Sequence, residues 1–503
     1  MTHISDKARR LLVLAAVCLA ALCMPFSFTG PAIAIPAIAV DLHGSPLALA
    51  WISNAFMLSF GGCLMAAGAL ADRYGRKRLF LLGLGVFTTA ALALACAPSI
   101  EALGLLRALQ GLGCALALSS GLAALAQEFD GAARARAFSL IGTAFGAGLA
   151  FGPIVAGSLV ASLGWRSLFV ATALVGLAAL LLAARTLRES RDHQAAGLDI
   201  AGALTFTGSL SLLTYGLLQA PHSGWTSLAS WALLGGAALL LAAFVAVEKR
   251  QQRPMLDLSL FRLPAFAGVQ LLAAAPAFSY VVLLVLLPAR LIGIEGYSAT
   301  KAGAMMLALS APMLVLPMLA GLAAQRLAPA HICGAGLLIT SAGLLWLSHC
   351  APGLPATTLL GPLLLIGAGI SLPWGLMDGL AVSVVPVERA GMAAGIFNTT
   401  RVAGEGIALA IVAALLATLT VTALRALPGV AAQDAALAAP LLAIGELRQA
   451  GALLPHASAQ ELAQAYGVAF RQLLQVLAAI STASALLILA FLRQGAGAPA
   501  TAR

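Results

Sequence analysis

Four ionisable residues interrupt long apolar stretches of the sequence: Arg107, Asp378, Arg401 and Glu405. A charged side chain at the centre of a membrane-spanning helix costs about 2.5–3.5 kcal/mol on insertion scales. Residues retained in spite of this cost commonly line a substrate pathway or carry protons. We therefore predict that these four residues belong to a proton relay or a coupling site.

The carboxylates of Asp378 and Glu405 are the candidate proton carriers. At about 1.5 Å per residue, both approach mid-membrane depth on adjacent antiparallel helices. Arg401 and Glu405 are four residues apart and share one helix face. Two interpretations stay open: a structural Arg–Glu pair that joins helices, and a protonation site in a central cavity, which we favour. For Arg107 we expect an aqueous cavity, and the alternative is the periplasmic interface.

The composition excludes a soluble protein. Hydrophobic residues make up 61% of the 503 residues and charged residues 9%, whereas soluble proteins carry about 25% charged residues. Basic cytoplasmic loops of a membrane protein explain the net charge of +10 better than nucleic-acid binding does. The sequence has no Cys-x-x-Cys pair, clustered catalytic constellation or Gly-x-x-x-x-Gly-Lys loop. We therefore expect no metal, no cofactor, no enzyme activity and no ATP-driven step.

Fourteen apolar stretches are long enough to cross a bilayer, which takes roughly 17–25 residues. They fall near 11–34, 48–70, 79–97, 101–126, 138–161, 168–184, 200–219, 229–247, 265–288, 303–324, 332–349, 357–384, 395–422 and 468–492. Lys and Arg concentrate in alternate loops, which predicts that both termini are cytoplasmic. We predict an all-α polytopic protein of a bacterial inner (plasma) membrane, with a periplasmic loop at 425–466.

The most specific motif lies between the second and third apolar stretches. It comprises Gly68, Asp72, Arg73, Gly75, Arg76 and Lys77. Gly68 allows a close helix approach and Gly75 a tight turn. Asp72 is placed to accept hydrogen bonds from a helix N-terminus or to pair with an arginine. An ordinary cytoplasmic loop would explain the basic residues but not the Gly–Asp–Gly frame, so the motif indicates a functional loop.

Small residues recur in the fifth apolar stretch, at Gly148, Gly152, Pro153 and Gly157. Glycines four residues apart give a helix a flat face for contact. A proline inside a helix bends it. Ordinary close packing explains this pattern as well as a functional role does, and both interpretations stay open at this point.

These motifs resemble those of the major facilitator superfamily. The segment 68–77 is similar to its signature loop, and Arg107 with Gln110 resembles a second motif whose arginine is associated with proton transfer. The run from Gly148 to Gly157 resembles the antiporter motif of drug exporters. Over nearly its whole length, the chain is identified as a divergent member of the fourteen-span drug:proton antiporter family.

One departure from that family affects the coupling site. Members usually carry an aspartate in the first span, whereas this chain has Ser27 at the matching place. Any coupling carboxylate must therefore be sought in the twelfth and thirteenth spans. The resemblance also marks polar residues as candidates to line the cavity: Ser27, Asn54, Gln110 and Asn398.

The resemblance implies a major facilitator fold, in which two six-helix bundles accompany two inserted helices. We expect the first bundle at 1–190, the inserted pair with its linkers at 191–253, and the second bundle at 254–503. The implied function is secondary active, proton-coupled export (antiport) of small amphipathic or cationic compounds, including drugs. The alternative is a dedicated exporter of a metabolite, siderophore or amino acid. Expected partners are the substrate, protons and the lipid bilayer, with a periplasmic adaptor as a further candidate and no nucleic acid.

Overall fold

The described part of the chain forms fourteen helices that are long and apolar enough to cross a membrane. The computed structural model describes residues 6–191, 199–251, 256–385 and 389–496. Spans 1 to 7 are Asp6–Leu42, Pro46–Tyr74, Arg76–Ala95, Ile100–Glu128, Arg136–Leu163, Arg166–Thr186 and Ile200–Pro221. Spans 8 to 14 are Leu228–Arg250, Pro264–Ile294, Ala299–Ala323, Pro329–Ser348, Thr357–Ser383, Met392–Arg425 and Ala459–Leu492. Each predicted apolar stretch matches one of them, so the predicted number of spans is confirmed.

Local sequence signals explain where several spans begin. Span 2 starts at Pro46 behind Ser45, whose hydroxyl accepts a hydrogen bond from the Ala48 amide at 3.2 Å. Ser99 caps span 4 in the same way, through the Ala102 amide at 3.3 Å. These caps satisfy amides that have no partner within the helix. Further inside, the helix satisfies its own backbone, as the hydrocarbon region requires.

The last span begins about two and a half helical turns before its predicted start near 468, roughly nine residues at 3.6 residues per turn. Span 14 begins at Ala459, so part of the predicted periplasmic loop 425–466 is helix. The Ser458 hydroxyl accepts a hydrogen bond from the Glu461 amide at 3.2 Å, and Glu461 Oε2 accepts one from the Ser458 amide at 2.8 Å. This reciprocal capping box nucleates the helix in a polar segment. The rest of the loop holds two short helices, Ala432–Ala443 and Leu447–Leu453.

Three spans of the second half are not continuous α-helices. Span 9 contains π-helical turns at Ala277–Val281 and Ala289–Ile294. Span 10 changes to a 3₁₀ turn at Ala311–Leu314, close to two prolines. Span 12 divides into Thr357–Trp374 and Met377–Ser383. Such interruptions free backbone groups and often mark functional segments of transporters.

The chain forms two compact units. Unit 1 comprises Met1–Ser211 and Leu239–Met255, and unit 2 comprises Leu212–Ala238 and Leu256–Arg503. Spans 7 and 8 therefore contribute one part to each unit. The expected separation of 191–253 as an inserted pair stays a prediction, and its boundary at 253/254 lies outside the described residues.

Candidate transport and coupling site

The signature loop of unit 1 is a tight turn between spans 2 and 3. Gly75 has φ +115°, a backbone conformation that L-residues rarely adopt. Asp72 pairs with Arg76, with 2.7 Å between Oδ1 and Nη2, which is one of the two predicted arrangements. Lys77 Nζ donates a hydrogen bond to the Ala184 carbonyl at 3.0 Å, and the Arg73 guanidinium lies over the Tyr74 ring at 5.3 Å. The loop is thus fixed by both backbone geometry and charge.

Glu189 completes this loop and is not recognisable from the sequence. Its carboxylate accepts hydrogen bonds from the Lys77 and Arg78 amides at 3.1 and 3.2 Å. A carboxylate at this place neutralises the positive end of the helix dipole at the start of span 3. A Cβ on Gly75 would lie 2.6 Å from Glu189 Oε1, so Gly75 also provides the space for this cap. Because the two segments are more than 110 residues apart, no local pattern signals the contact.

Gly68 does not provide the predicted close approach. A Cβ at this position would meet its nearest neighbour, the Ser119 side chain, at 4.0 Å. That separation is an ordinary van der Waals contact. Spans 2 and 4 approach each other closely at Gly111 instead, where a Cβ would overlap the Phe56 carbonyl oxygen.

Arg107 is fully buried in unit 1, so it does not face water as predicted. Its Nε donates to the Ile52 carbonyl at 2.8 Å, and its Nη1 donates to Gln110 Oε1 at 2.5 Å. The guanidinium also lies 4.3 Å from the centre of the Phe56 ring, a cation–π contact. Burial is tolerated because a backbone carbonyl, an amide and an aromatic face together replace water. Its Nη2 and the Gln110 Nε2 have no partner among the described residues.

The close contact at Gly111 holds the helix that carries Arg107 against span 2. Replacing Gly111 with Ala is expected to destabilise the protein and reduce transport several-fold, because a methyl group cannot fit beside the Phe56 backbone. Gly104→Ala is the matched control in the same helix, since a Cβ there meets nothing within 4 Å. Melting temperatures of the two purified variants check this. Equal stability of both variants would contradict the packing argument.

The glycine run of span 5 packs against span 1 within unit 1. A Cβ on Gly148 would lie 2.6 Å from the Leu22 carbonyl oxygen, and one on Gly152 would lie 2.6 Å from Thr29 Oγ1. The helix continues through Pro153, and Gly157 is buried on the same helix. Close helix contact therefore accounts for Gly148 and Gly152. Their contribution to antiport stays a prediction.

The predicted cavity residues of unit 1 are buried. Ser27 and Asn54 are 2% exposed and Gln110 is 0% exposed. The Asn54 amide donates to the Ala50 carbonyl at 2.9 Å. The Ser27 hydroxyl and the Asn54 carbonyl oxygen find no partner in the described part of the chain. Buried polar atoms without partners are uncommon, so these positions keep an unused hydrogen-bonding capacity in this conformation.

In unit 2, Asp378, Asn398 and Arg401 come together. Arg401 Nη1 lies 3.4 Å from Asp378 Oδ1, and Arg401 Nη2 donates to Asn398 Oδ1 at 2.7 Å. The Asp378 side chain is 61% exposed. It occupies the first turn of Met377–Ser383, the segment that ends span 12. Gly375, which follows Trp374, allows a close approach of span 10, because a Cβ there would overlap the Pro317 carbonyl oxygen.

Glu405 lies one helical turn beyond Arg401 and is partly buried. Arg401 directs its hydrogen bonds to Asn398 and Asp378 instead. The predicted alternative of a structural Arg401–Glu405 pair is therefore not observed. Among the described residues, no ion pair within 4 Å involves the Glu405 carboxylate. Asp378 is paired with Arg401. The Glu405 carboxylate, in contrast, has no paired cation among the described residues.

A buried ion pair in unit 2 has no counterpart in the sequence-based predictions. Arg290 and Glu295 are 2% and 3% exposed, with 3.1 Å between Nη2 and Oε1. Arg290 also donates to the Cys350 carbonyl at 2.6 Å, and Glu295 Oε2 accepts from the Gly353 amide at 2.9 Å. The pair thus connects span 9 to the loop after span 11. The ninth predicted stretch ends near 288, whereas span 9 continues to Ile294 and so includes Arg290.

Comparison with known proteins decides the family. The family model of the Major Facilitator Superfamily matches residues 17–409. The chain belongs to the major facilitator superfamily. It is accordingly a multi-pass membrane transporter of small molecules and not an enzyme.

Similar proteins of this superfamily come from several bacteria. The chain is 33% identical over 386 residues to the multidrug resistance protein Stp of Mycobacterium tuberculosis. This match covers 76% of this chain and 72% of that protein. It is 32% identical to the tetracenomycin C resistance and export protein of Streptomyces glaucescens, over 80% of this chain and 75% of that protein. It is 33% identical to the cephamycin export protein CmcT of Amycolatopsis lactamdurans, over 82% of this chain and 85% of that protein.

A solved structure supports the major facilitator fold. The fold matches a bacterial homologue of the human lysosomal transporter Spinster with a TM-score of 0.68. The match covers 98% of this chain and 100% of that chain at 17% sequence identity. At this identity the likeness concerns the fold alone.

Proposed function

We propose that the chain exports small amphipathic or cationic compounds and drives this export with protons. The observation that carries the proposal is the similarity to proteins named for multidrug resistance and antibiotic export, over about three quarters of the chain or more. The absence of a phosphate-binding Gly-x-x-x-x-Gly-Lys loop from the sequence favours an ion gradient over ATP as the energy source.

Glu405 is the proposed coupling carboxylate. It lies inside span 13 without a paired cation among the described residues, whereas Asp378 is exposed and pairs with Arg401. A carboxylate that alternates between a proton and a cationic substrate needs an unpaired state, which Glu405 supplies. Arg107, Asp378 and Arg401 are proposed to tune or organise the relay, and Asp72 with its loop to stabilise one conformation.

The second candidate function is dedicated export of one class of natural product. Ser27 occupies the place where relatives of the drug-exporting branch usually carry an acid, and two similar proteins are named for single antibiotics. Susceptibility profiling of a deletion strain, compared with profiling of the compounds in its medium, separates the two candidates. A broad change in drug susceptibility supports the first, and loss of one secreted compound supports the second.

The proposed setting is a bacterial inner membrane with both ends of the chain in the cytoplasm. The support is the concentration of Lys and Arg in alternate loops, as in the segment Arg76–Arg78. The loop between spans 13 and 14 then lies in the periplasm. A periplasmic adaptor is proposed as a further partner on the basis of that loop alone.

Proteoliposomes that contain the purified transporter test the coupling. We expect a fluorescent cationic dye to be transported when a pH gradient is imposed, because inward proton flow and outward substrate flow share one cycle. A protonophore should reduce the initial rate to that of protein-free liposomes. A membrane potential of the same driving force but without a pH gradient is the control. Transport that persists undiminished after the pH gradient is collapsed would contradict proton coupling.

A further inference from the structure

Five arginines line two adjoining cavities at one end of unit 1. The cavities have volumes of about 490 and 250 Å³ and share Gln127, Glu189 and Ser190. We call this region the basic cleft, and its arginines are Arg9, Arg10, Arg78, Arg188 and Arg191. None of the five arginines is among the proposed coupling residues, and Glu189 is shared with the signature loop.

The two glutamates of the basic cleft are already engaged. Glu128 accepts both hydrogen bonds of a bidentate pair with Arg9, at 2.8 Å each. Glu189 caps the start of span 3 through the Lys77 and Arg78 amides. Glu189 Oε2 also lies 3.7 Å from Arg78 Nε, so neither carboxylate is available to neutralise Arg10 or Arg191. The cleft keeps an excess of positive charge.

Arg10 and Arg191 contribute most to this excess positive charge. Both are exposed, and neither forms an ion pair with another residue in the described ranges. Arg188 lies 3.1 Å from Asp6, but both side chains are largely exposed, and such pairs hold their partners weakly. A guanidinium donates paired hydrogen bonds that match the oxygens of a phosphate group.

The position of the basic cleft indicates what carries the phosphate. Tyr74 is the last residue of span 2, Arg76 the first of span 3, and Glu128 the last of span 4. The cleft therefore lies at the edge of the membrane, where phospholipid headgroups are found. Basic pockets between span ends are typical binding places for anionic headgroups. A soluble phosphate compound would form the same hydrogen bonds, but it would not be concentrated at the edge of the membrane.

We propose that the basic cleft binds the headgroup phosphate of an anionic phospholipid. Arg10, which lines the smaller cavity, and Arg191, which lines the larger one, supply the positive charge that holds the headgroup. The Arg9–Glu128 pair and the Glu189 cap fix the wall of the cleft. Because Glu189 also caps span 3, a bound headgroup lies directly beside the signature loop.

Native mass spectrometry of the full-length, delipidated transporter tests the proposal. We expect phosphatidylglycerol to bind more tightly than phosphatidylcholine. The double variant Arg10→Gln/Arg191→Gln should weaken phosphatidylglycerol binding by roughly 30-fold, because each basic residue near an anionic lipid raises the binding affinity about fivefold. Arg262→Gln/Arg326→Gln is the matched control, because it removes two exposed arginines outside the cleft. Melting temperatures of both variants show whether each is folded.

Three results would overturn the proposal. The first is equal binding of phosphatidylglycerol to the parent and the Arg10/Arg191 variant. The second is an equal loss of binding in the control variant, which would indicate general charge attraction. The third is displacement of the lipid by millimolar sn-glycerol 3-phosphate in the parent, which would assign the cleft to a soluble phosphate compound.

Discussion

Transport driven by a pH gradient is expected to disappear in Glu405→Gln, to the level of protein-free liposomes. Glutamine keeps the size and hydrogen-bonding capacity of the side chain but cannot exchange a proton. Because the Glu405 carboxylate has no paired cation among the described residues, the substitution leaves no buried charge without a partner. Arg401 keeps its contacts to Asn398 and Asp378. The variant should therefore fold normally and fail specifically in coupling.

Counterflow exchange measures transport without net proton movement and separates coupling from folding. Glu405→Gln should retain the exchange of labelled for unlabelled substrate while it loses concentrative uptake. Asp378→Asn is the comparison variant at the other acid, which is exposed and pairs with Arg401; it should reduce gradient-driven transport without abolishing it. If Asp378→Asn loses coupling and Glu405→Gln does not, Asp378 is the coupling acid. If both variants behave like the parent, the coupling site lies elsewhere.

The spans could be predicted from the sequence because each follows from a local requirement. About 20 consecutive apolar residues are needed to cross a bilayer, and hydropathy registers this directly. The start of span 14 departs from this rule, since its first turns are polar. The sequence does hold a signal there, the capping box of Ser458 and Glu461, which hydropathy alone does not register.

The chemistry of the site was less predictable because its contacts join distant segments. The residue types at Arg107, Asp378, Arg401 and Glu405 mark them as unusual in an apolar helix. Their partners depend on how helices rotate and cross. The Arg107 contact with the Ile52 carbonyl joins residues 55 positions apart. Arg401 pairs with Asp378 and not with Glu405, although Glu405 is nearer in the sequence. Sequence therefore identifies the charged residues but not their pairs.

The largest expected effect on stability comes from breaking the Arg290–Glu295 pair. Both side chains are almost completely buried, so removal of either charge leaves the other without water or a counter-charge. We expect Glu295→Gln to lower the free energy of unfolding by about 3–5 kcal/mol. Glutamine can still accept the hydrogen bond from the Gly353 amide. The loss of stability is therefore assigned to the missing charge. Denaturation in mixed detergent micelles, followed by tryptophan fluorescence, measures the change.

Removing both charges should be milder than removing one, because the main cost of the single variant is the uncompensated Arg290. The double variant Arg290→Met/Glu295→Gln gives up the hydrogen bond to the Cys350 carbonyl and the contact with the Phe470 ring, but it leaves no buried charge. Asp130→Asn, which breaks a pair with side chains 89% and 48% exposed, should change stability little. If the double variant is less stable than Glu295→Gln, the interaction with the loop and the ring outweighs the ion pair. Arg290 would then hold this end of unit 2 through its hydrogen bond and its aromatic contact instead of its charge.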